Sequence, residues 1–249
     1  EKTIKRGSLI NAAGIAGKAL LPLLFILISR LFGPKPMGIF FLGFVILDVA
    51  FSLTMSGIKD GISLFTSRYA INGGGTAPDT TATYRILANS LLLVLLVSAV
   101  IIGLFFLLAK PVILSRYPDG KLHALLKIMV WTIPLYTVPN LVAGAVRGLL
   151  LMHWEAILVG FLRPLLLCMA VLVVFCGGLG LEGLAWGYLF ANAVLFVISI
   201  FAFARHFKFP ELLAGFRRPF WHAEFLRFII PQNLNMTFNT LIGNLDVLM

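Results

Sequence analysis

The chain has 249 residues, of which 60% are hydrophobic and only 12% are charged, and its mean hydropathy is +1.00. Because an average soluble domain carries about 25% charged residues, this composition excludes a water-soluble globule. Several apolar runs of roughly 18 residues or more predict instead an all-α polytopic membrane protein, since backbone polar groups in lipid must be paired within helices.

Seven apolar spans are predicted in chain order. They cover residues 8–32, 37–58, 86–109, 123–149, 156–178, 182–204 and 228–249. This pattern divides the chain into a six-helix region at 1–204, a linker at 205–227 and a seventh span at 228–249. The last span stops at the final residue without an exit loop, which indicates a fragment of a longer protein.

The net charge of +10 predicts a membrane orientation rather than a nucleic-acid partner, because the cations lie mostly in loops. With the N-terminus inside, twelve Lys and Arg residues fall on the inner side and six on the outer side. The positive-inside rule therefore predicts a cytoplasmic N-terminus.

The first two spans carry opposite charges at one predicted depth. Lys18 lies about 15 Å from the inner end of its span, too deep to reach water easily. The hairpin at Gly33-Pro34 makes the spans antiparallel, so Asp48 reaches the level of Lys18. We predict that these charges pair or flank a polar cavity. A purely structural ion pair that fixes helix packing is the alternative.

The fourth and fifth spans contain further polar and helix-breaking residues. Arg163 lies about 10 Å from the inner end of its span, so it either faces the cavity or extends along its helix to the interface. Arg147 is interpreted as an interfacial anchor. Pro134, Pro139 and Asn140 predict a kink in the fourth span.

The seventh span is rich in amides. Its polar residues are Gln232, Asn233, Asn235, Thr237, Asn239, Thr240, Asn244 and Asp246. On a helix, Asn235, Asn239 and Asp246 share one stripe, whereas Asn233, Thr237, Thr240 and Asn244 form the neighbouring one. Because so many polar groups facing lipid would be very unfavourable, this helix is predicted to face water.

Two inner loops, 59–85 and 205–227, are longer than the others. In 205–227, Phe, Trp and Leu alternate with Arg and Lys, which favours a helix lying at the membrane surface over an ordinary basic loop. Neither loop has a phosphate-binding glycine motif, the loop acids form no motif, and the histidines lack metal-ligand spacing. We therefore predict no catalytic site, no metal site and no enzymatic activity.

Two motifs resemble a known family. Residues 30–40 read R-x-x-G-P-x-x-x-G-x-F, and residues 57–68 read G-I-x-x-G-I-x-x-F-x-S-R. With the late stretch IIPQNLNMTFNTLIGNLDVLM, they resemble the polysaccharide-export branch of the MOP superfamily, which contains the Wzx-type oligosaccharide flippases. The resemblance implies two six-helix lobes, with the first, second, seventh and eighth helices lining a central cavity. The present chain would hold the N-terminal lobe and the first helix of the second.

The resemblance implies a flippase in a bacterial cytoplasmic membrane. Its partners would be a lipid-linked oligosaccharide, membrane lipids and polysaccharide polymerase machinery. The expected cavity residues are Lys18, Asp48, Arg163, Asn235, Asn239, Asn244 and Asp246. No cofactor is expected beyond a coupling ion, Na⁺ or H⁺. A cation-coupled multidrug extruder of the related MATE branch is the main alternative, and a membrane scaffold is a third.

Overall fold

The computed structural model describes residues 17, 19–70, 80–117, 120–151, 153–216 and 223–245. Most of these residues are helical, and no strand occurs among them, which confirms the predicted all-α class. The helices are α1 (Ala19–Phe32), α2 (Pro34–Ala70), α3 (Thr80–Arg116), α4 (Lys121–Met129), α5 (Thr132–Gly148), α6 (His153–Cys176), α7 (Leu181–His206), α8 (Phe209–Phe216) and α9 (Ala223–Gly243).

Four helices of the described residues are long and apolar enough to cross a membrane, namely α2, α3, α6 and α7. The pair α4 and α5 adds a fifth span if it is counted as one bent helix. The structure describes only the second half of the predicted first span, as α1. The described part of the seventh predicted span is helical as α9, but its amides make this helix less apolar than the four spanning helices.

The predicted sharp reversal at Gly33-Pro34 is present. Gly33 adopts φ +90°, its N–H donates to the Ser29 carbonyl at 3.1 Å, and α2 begins at Pro34. A left-handed glycine that ends one helix and a proline that begins the next are the expected terminators. A similarly short turn joins α6 to α7, with Gly178 at φ +65°.

The fourth span is bent, as predicted. Helices α4 and α5 meet at 41°, just before Pro134. Proline has no N–H, so the Val130 carbonyl loses its usual helical partner. The N–H of Ile133 donates to that carbonyl instead, at 3.1 Å. The bend therefore follows from the position of Pro134 in the sequence.

The prediction of a long inner loop at 59–85 is wrong in extent. Helix α2 has 37 residues and continues to Ala70, and α3 begins at Thr80. At about 1.5 Å per residue, α2 is roughly 55 Å long, well beyond the hydrocarbon core of about 30 Å. The extra turns are helical because their residues pack against other helices, as described below.

Two large apolar clusters and a smaller one, which contains Leu158, Leu195 and Ala202, form the core of the described bundle. One large cluster gathers residues from α1, α2 and α4 to α7, including Phe40, Leu125 and Leu167. The other large cluster gathers residues toward the predicted inner ends, including Ile62 and Val146.

Candidate functional site

A polar cavity of about 220 Å³ lies between α2, α5 and α9. Its lining residues are Asp48, Phe51, Ser52, Met55, Lys59, Tyr136, Asn140 and Thr240. The cavity therefore contains an acid, a lysine, hydroxyls and an amide in the middle of an apolar bundle. Water needs several polar partners to occupy a cavity, and this lining provides them. We call this space the polar cavity.

The cavity lining matches part of the sequence-based prediction. Asp48 was expected beside a polar space, and the helix that carries Thr240 was expected to face water. The contributions of Lys59 and Tyr136 were missed. Asn140 was singled out only as part of a kink, although its side-chain amide also donates to the Tyr136 carbonyl, at 2.9 Å.

Arg163 lies deep in the protein, beside the cavity. Its guanidinium carbon is 3.6 Å from the centre of the Tyr136 ring, and its Nη2 donates to the Tyr188 hydroxyl at 3.2 Å. It also interacts electrostatically with Asp48. These contacts connect α2, α5, α6 and α7 through one buried cation.

The interpretation that Arg163 extends to the interface is wrong. The residue is only 7% exposed, and the Tyr136 ring and the Tyr188 hydroxyl hold its side chain inside the bundle. Sequence reasoning favoured the interface because the distance along the helix allowed it. The contacts with Tyr136 and Tyr188 could not be seen in the sequence, because these tyrosines lie 27 and 25 residues away in the chain.

Asn233 of α9 joins the backbone of α2. Its Oδ1 accepts from the Gly57 N–H at 2.8 Å, and its Nδ2 donates to the Leu53 carbonyl at 2.5 Å. In a regular helix, Gly57 would donate to Leu53 directly, because the residues are four apart. The asparagine amide thus satisfies both groups of one turn of α2.

This crossing depends on glycine. A Cβ on Gly57 would collide with the backbone of α9 at Ile229 and Asn233, and one on Gly61 would meet the Ile229 side chain at 2.6 Å. Small residues four apart are a common means of bringing membrane helices together. Farther along α9, the Thr240 hydroxyl lies 3.1 Å from the Ser52 hydroxyl.

The two predicted stripes of α9 have different surroundings. Asn233 and Thr240 contact α2, whereas Asn235 and Asn239 are exposed on the surface of the described residues. Asn244 is half-buried and donates to the Thr240 carbonyl of its own helix. Thus Asn235, Asn239 and Asn244 are not among the lining residues of the polar cavity. The remaining two predicted site residues, Lys18 and Asp246, lie outside the described residues.

An ion-pair network adjoins the polar cavity at Lys59. Lys59, which lines the cavity, pairs with Glu155 at 2.6 Å. Arg147 pairs with Asp60 at 2.6 Å and with Glu155 at 3.4 Å, and its Nε donates to the Ser63 hydroxyl at 3.0 Å. The interpretation of Arg147 as an interfacial anchor is incomplete, because its side chain also joins α5 to α2 and α6.

The network also bears on the predicted topology. It joins α2, α5 and α6 at positions that were all assigned to the inner side. At the opposite end of the bundle, a pocket of about 720 Å³ contains Lys35 and Lys121, which were assigned to the outer side. The structure thus separates the two predicted groups of charges, while the membrane face at each end remains a prediction.

Comparison with known proteins gives one match. A family model described as polysaccharide biosynthesis protein matches residues 4–249. No curated protein and no solved structure has significant similarity to the chain.

Proposed function

Because the chain belongs to the polysaccharide biosynthesis protein family, the family of Wzx-type flippases in the MOP superfamily, we propose that it moves an isoprenoid-pyrophosphate-linked oligosaccharide across a membrane by alternating access. The observation that carries this proposal is the polar cavity, an acid-containing space inside an otherwise apolar bundle. A headgroup bearing sugars and phosphates needs such surroundings to leave water, and the lipid tail does not.

In this proposal the cations near the cavity counter the pyrophosphate. Lys59 lines the cavity, and Arg163 retains a buried Nε with no hydrogen-bond partner among the described residues. Lys18 is proposed to join them from the first helix. Asp48 would hold the coupling ion, Na⁺ or H⁺, or balance the cations when the substrate has left.

The exposed stripe of α9 has a separate role. We propose that Asn235, Asn239 and Asp246 face the central cavity between two lobes and donate hydrogen bonds to sugar hydroxyls. The division into a six-helix lobe at 1–204, a linker at 205–227 and the first helix of a second lobe at 228–249 is part of the same proposal. Alternating access would rock the lobes about this cavity.

The test is to delete the gene in its own host and restore it by plasmid. Loss of surface polysaccharide with lipid-linked units accumulating on the cytoplasmic side supports the flippase. Asp48→Asn and Lys59→Gln should restore less polysaccharide than wild type at equal protein level. Drug hypersensitivity with normal polysaccharide would favour the MATE-type extruder instead, and a deletion with neither phenotype would overturn both transport proposals.

A further inference from the structure

A second cavity lies between α3, α5, α7 and α8. Its volume is about 300 Å³, and every residue that lines it is apolar, including Leu91, Val138, Phe203 and Leu212. Since water's share of liquid volume is about 30 Å³, roughly ten waters would fit by volume, but they would find no polar partner. Such a space favours hydrocarbon over water. We call it the apolar groove.

Helix α5 separates the apolar groove from the polar cavity. Tyr136 and Asn140 face the cavity, and Val138 and Val142 line the groove. Residues four apart share one side of a helix, and residues two apart lie on nearly opposite sides. A hydrocarbon chain in the groove is therefore kept apart from any headgroup that occupies the polar cavity.

One end of the groove is closed by the short helix α8. Its Phe209 and Leu212 line the groove. A Cβ on Gly215 would lie 2.8 Å from the Tyr84 carbonyl oxygen, so α8 is in close contact with α3. The backbone N–H of Lys208 donates to the Tyr84 hydroxyl at 3.0 Å. This confirms a helix in the 205–227 segment and shows what its apolar side covers.

The same end of the groove is cationic. Arg205 and Lys208 lie between the lining residues Phe203 and Phe209, and both are exposed. Arg85 follows Tyr84 directly and adds a third cation to this end. The one acid of α8, Glu211, pairs with Lys208 at 3.3 Å, so these three cations outnumber the acid of α8.

We propose that the apolar groove binds an acyl chain of an anionic phospholipid, whose phosphate lies among Arg85, Arg205 and Lys208. Basic pockets beside membrane helices are known to attract anionic headgroups. The occupant is a resident lipid rather than the transported one, because α5 separates the groove from the polar cavity. This site is independent of the proposed substrate.

The test measures lipid retention by the purified chain with native mass spectrometry. The chain is reconstituted in vesicles that contain equal parts of phosphatidylglycerol and phosphatidylcholine, and is then extracted. Wild type should retain phosphatidylglycerol preferentially. Removing two charges with Arg205→Gln plus Lys208→Gln should weaken that retention by roughly 20- to 30-fold. Both side chains are exposed, so folding should not suffer.

A matched control and a second variant separate the groove from general surface charge. Lys121→Gln plus Lys127→Gln removes two exposed cations at the opposite end and should leave retention unchanged. Leu91→Trp fills the groove and should abolish retention, with folding checked by the thermal midpoint. Equal retention of both lipids by wild type, or unchanged retention in the charge variant, would overturn the proposal. Preferential retention of a polyprenyl phosphate added as competitor would also overturn it.

Discussion

The two faces of α5 lie in opposite surroundings. One face contributes Tyr136 and Asn140 to a cavity of about 220 Å³ that also contains an acid and a lysine. The other face contributes Val138 and Val142 to a groove of about 300 Å³ that contains no polar residue. The volumes are similar, so chemistry rather than size distinguishes a space suited to a charged headgroup from one suited to a hydrocarbon chain.

The polar face requires support that the apolar face does not. Its buried cation is held by Tyr136 and Tyr188, and its α9 wall is fixed by the Asn233 amide, which bonds to the Gly57 N–H and the Leu53 carbonyl of α2. The apolar groove is held by packing and by one hydrogen bond, from the Lys208 N–H to the Tyr84 hydroxyl. The polar side should therefore be the more sensitive of the two to single substitutions.

Arg163→Met should have the largest effect on stability. It removes the guanidinium that lies on the Tyr136 ring and donates to the Tyr188 hydroxyl, and it leaves that buried hydroxyl without this partner, losses that together cost about 3 kcal/mol or more. The measurement is the thermal midpoint in detergent, alongside the matched variant Arg30→Met, whose side chain is exposed. Equal midpoints for both variants would show that the buried cation is not needed to hold the polar side together.

Gly57→Ala should come next, because its methyl group would collide with the backbone of α9. Overpacking of this kind costs about 1–3 kcal/mol. Gly103→Ala is the control, since a Cβ there meets nothing within 4 Å in the described residues. The two variants are compared by thermal unfolding. A Gly57 variant as stable as the Gly103 variant would mean that α2 and α9 do not cross this closely.

Asn233→Ala should destabilise the fold by about 1–2 kcal/mol, because it leaves the Leu53 carbonyl and the Gly57 N–H without the amide that joins them. Asn239→Ala should leave stability unchanged and reduce polysaccharide export, since this amide is exposed on the other stripe. Unfolding and complementation are measured for both variants. The reverse pattern would contradict the assignment of one stripe to packing and the other to substrate.

The smallest effect is expected in the ion-pair network that adjoins the polar cavity. Lys59→Glu should weaken the network by about 1 kcal/mol or less, because the pair with Glu155 is partly exposed. Adding Glu155→Lys restores one opposite-charge pair but places a lysine beside Arg147. The double variant should therefore recover only part of the thermal midpoint. The variant Glu155→Lys is also measured alone. If the loss of thermal midpoint in the double variant equals the sum of the losses in the two single variants, the two residues do not interact.

Much of the fold followed from the sequence. Apolar runs, the Gly33-Pro34 reversal and the prolines of the fourth span predicted the helices, their turns and a bend, because these signals are local. The extension of α2 to Ala70 did not follow. It depends on the ion pairs and glycine contacts of residues 57–63 with α5, α6 and α9, which lie far away in the chain.

The candidate site was predictable only in part, for the same reason. Asp48 and the polar character of α9 were visible as polar residues where lipid was expected. The partners of Arg163 were not, because a tyrosine in an apolar span gives no indication of what its hydroxyl contacts. The assignment of the α9 stripes also required the structure, since both have the same helical spacing.

The central claim is that water reaches the polar face of α5 and not the apolar one. It is tested by labelling single cysteines with a membrane-impermeant methanethiosulfonate, in a background with Cys168→Ser and Cys176→Ser. Thr240→Cys and Asn140→Cys should react, and Val138→Cys and Leu91→Cys should not. Equal labelling at all four positions, or labelling confined to the groove, would contradict the account.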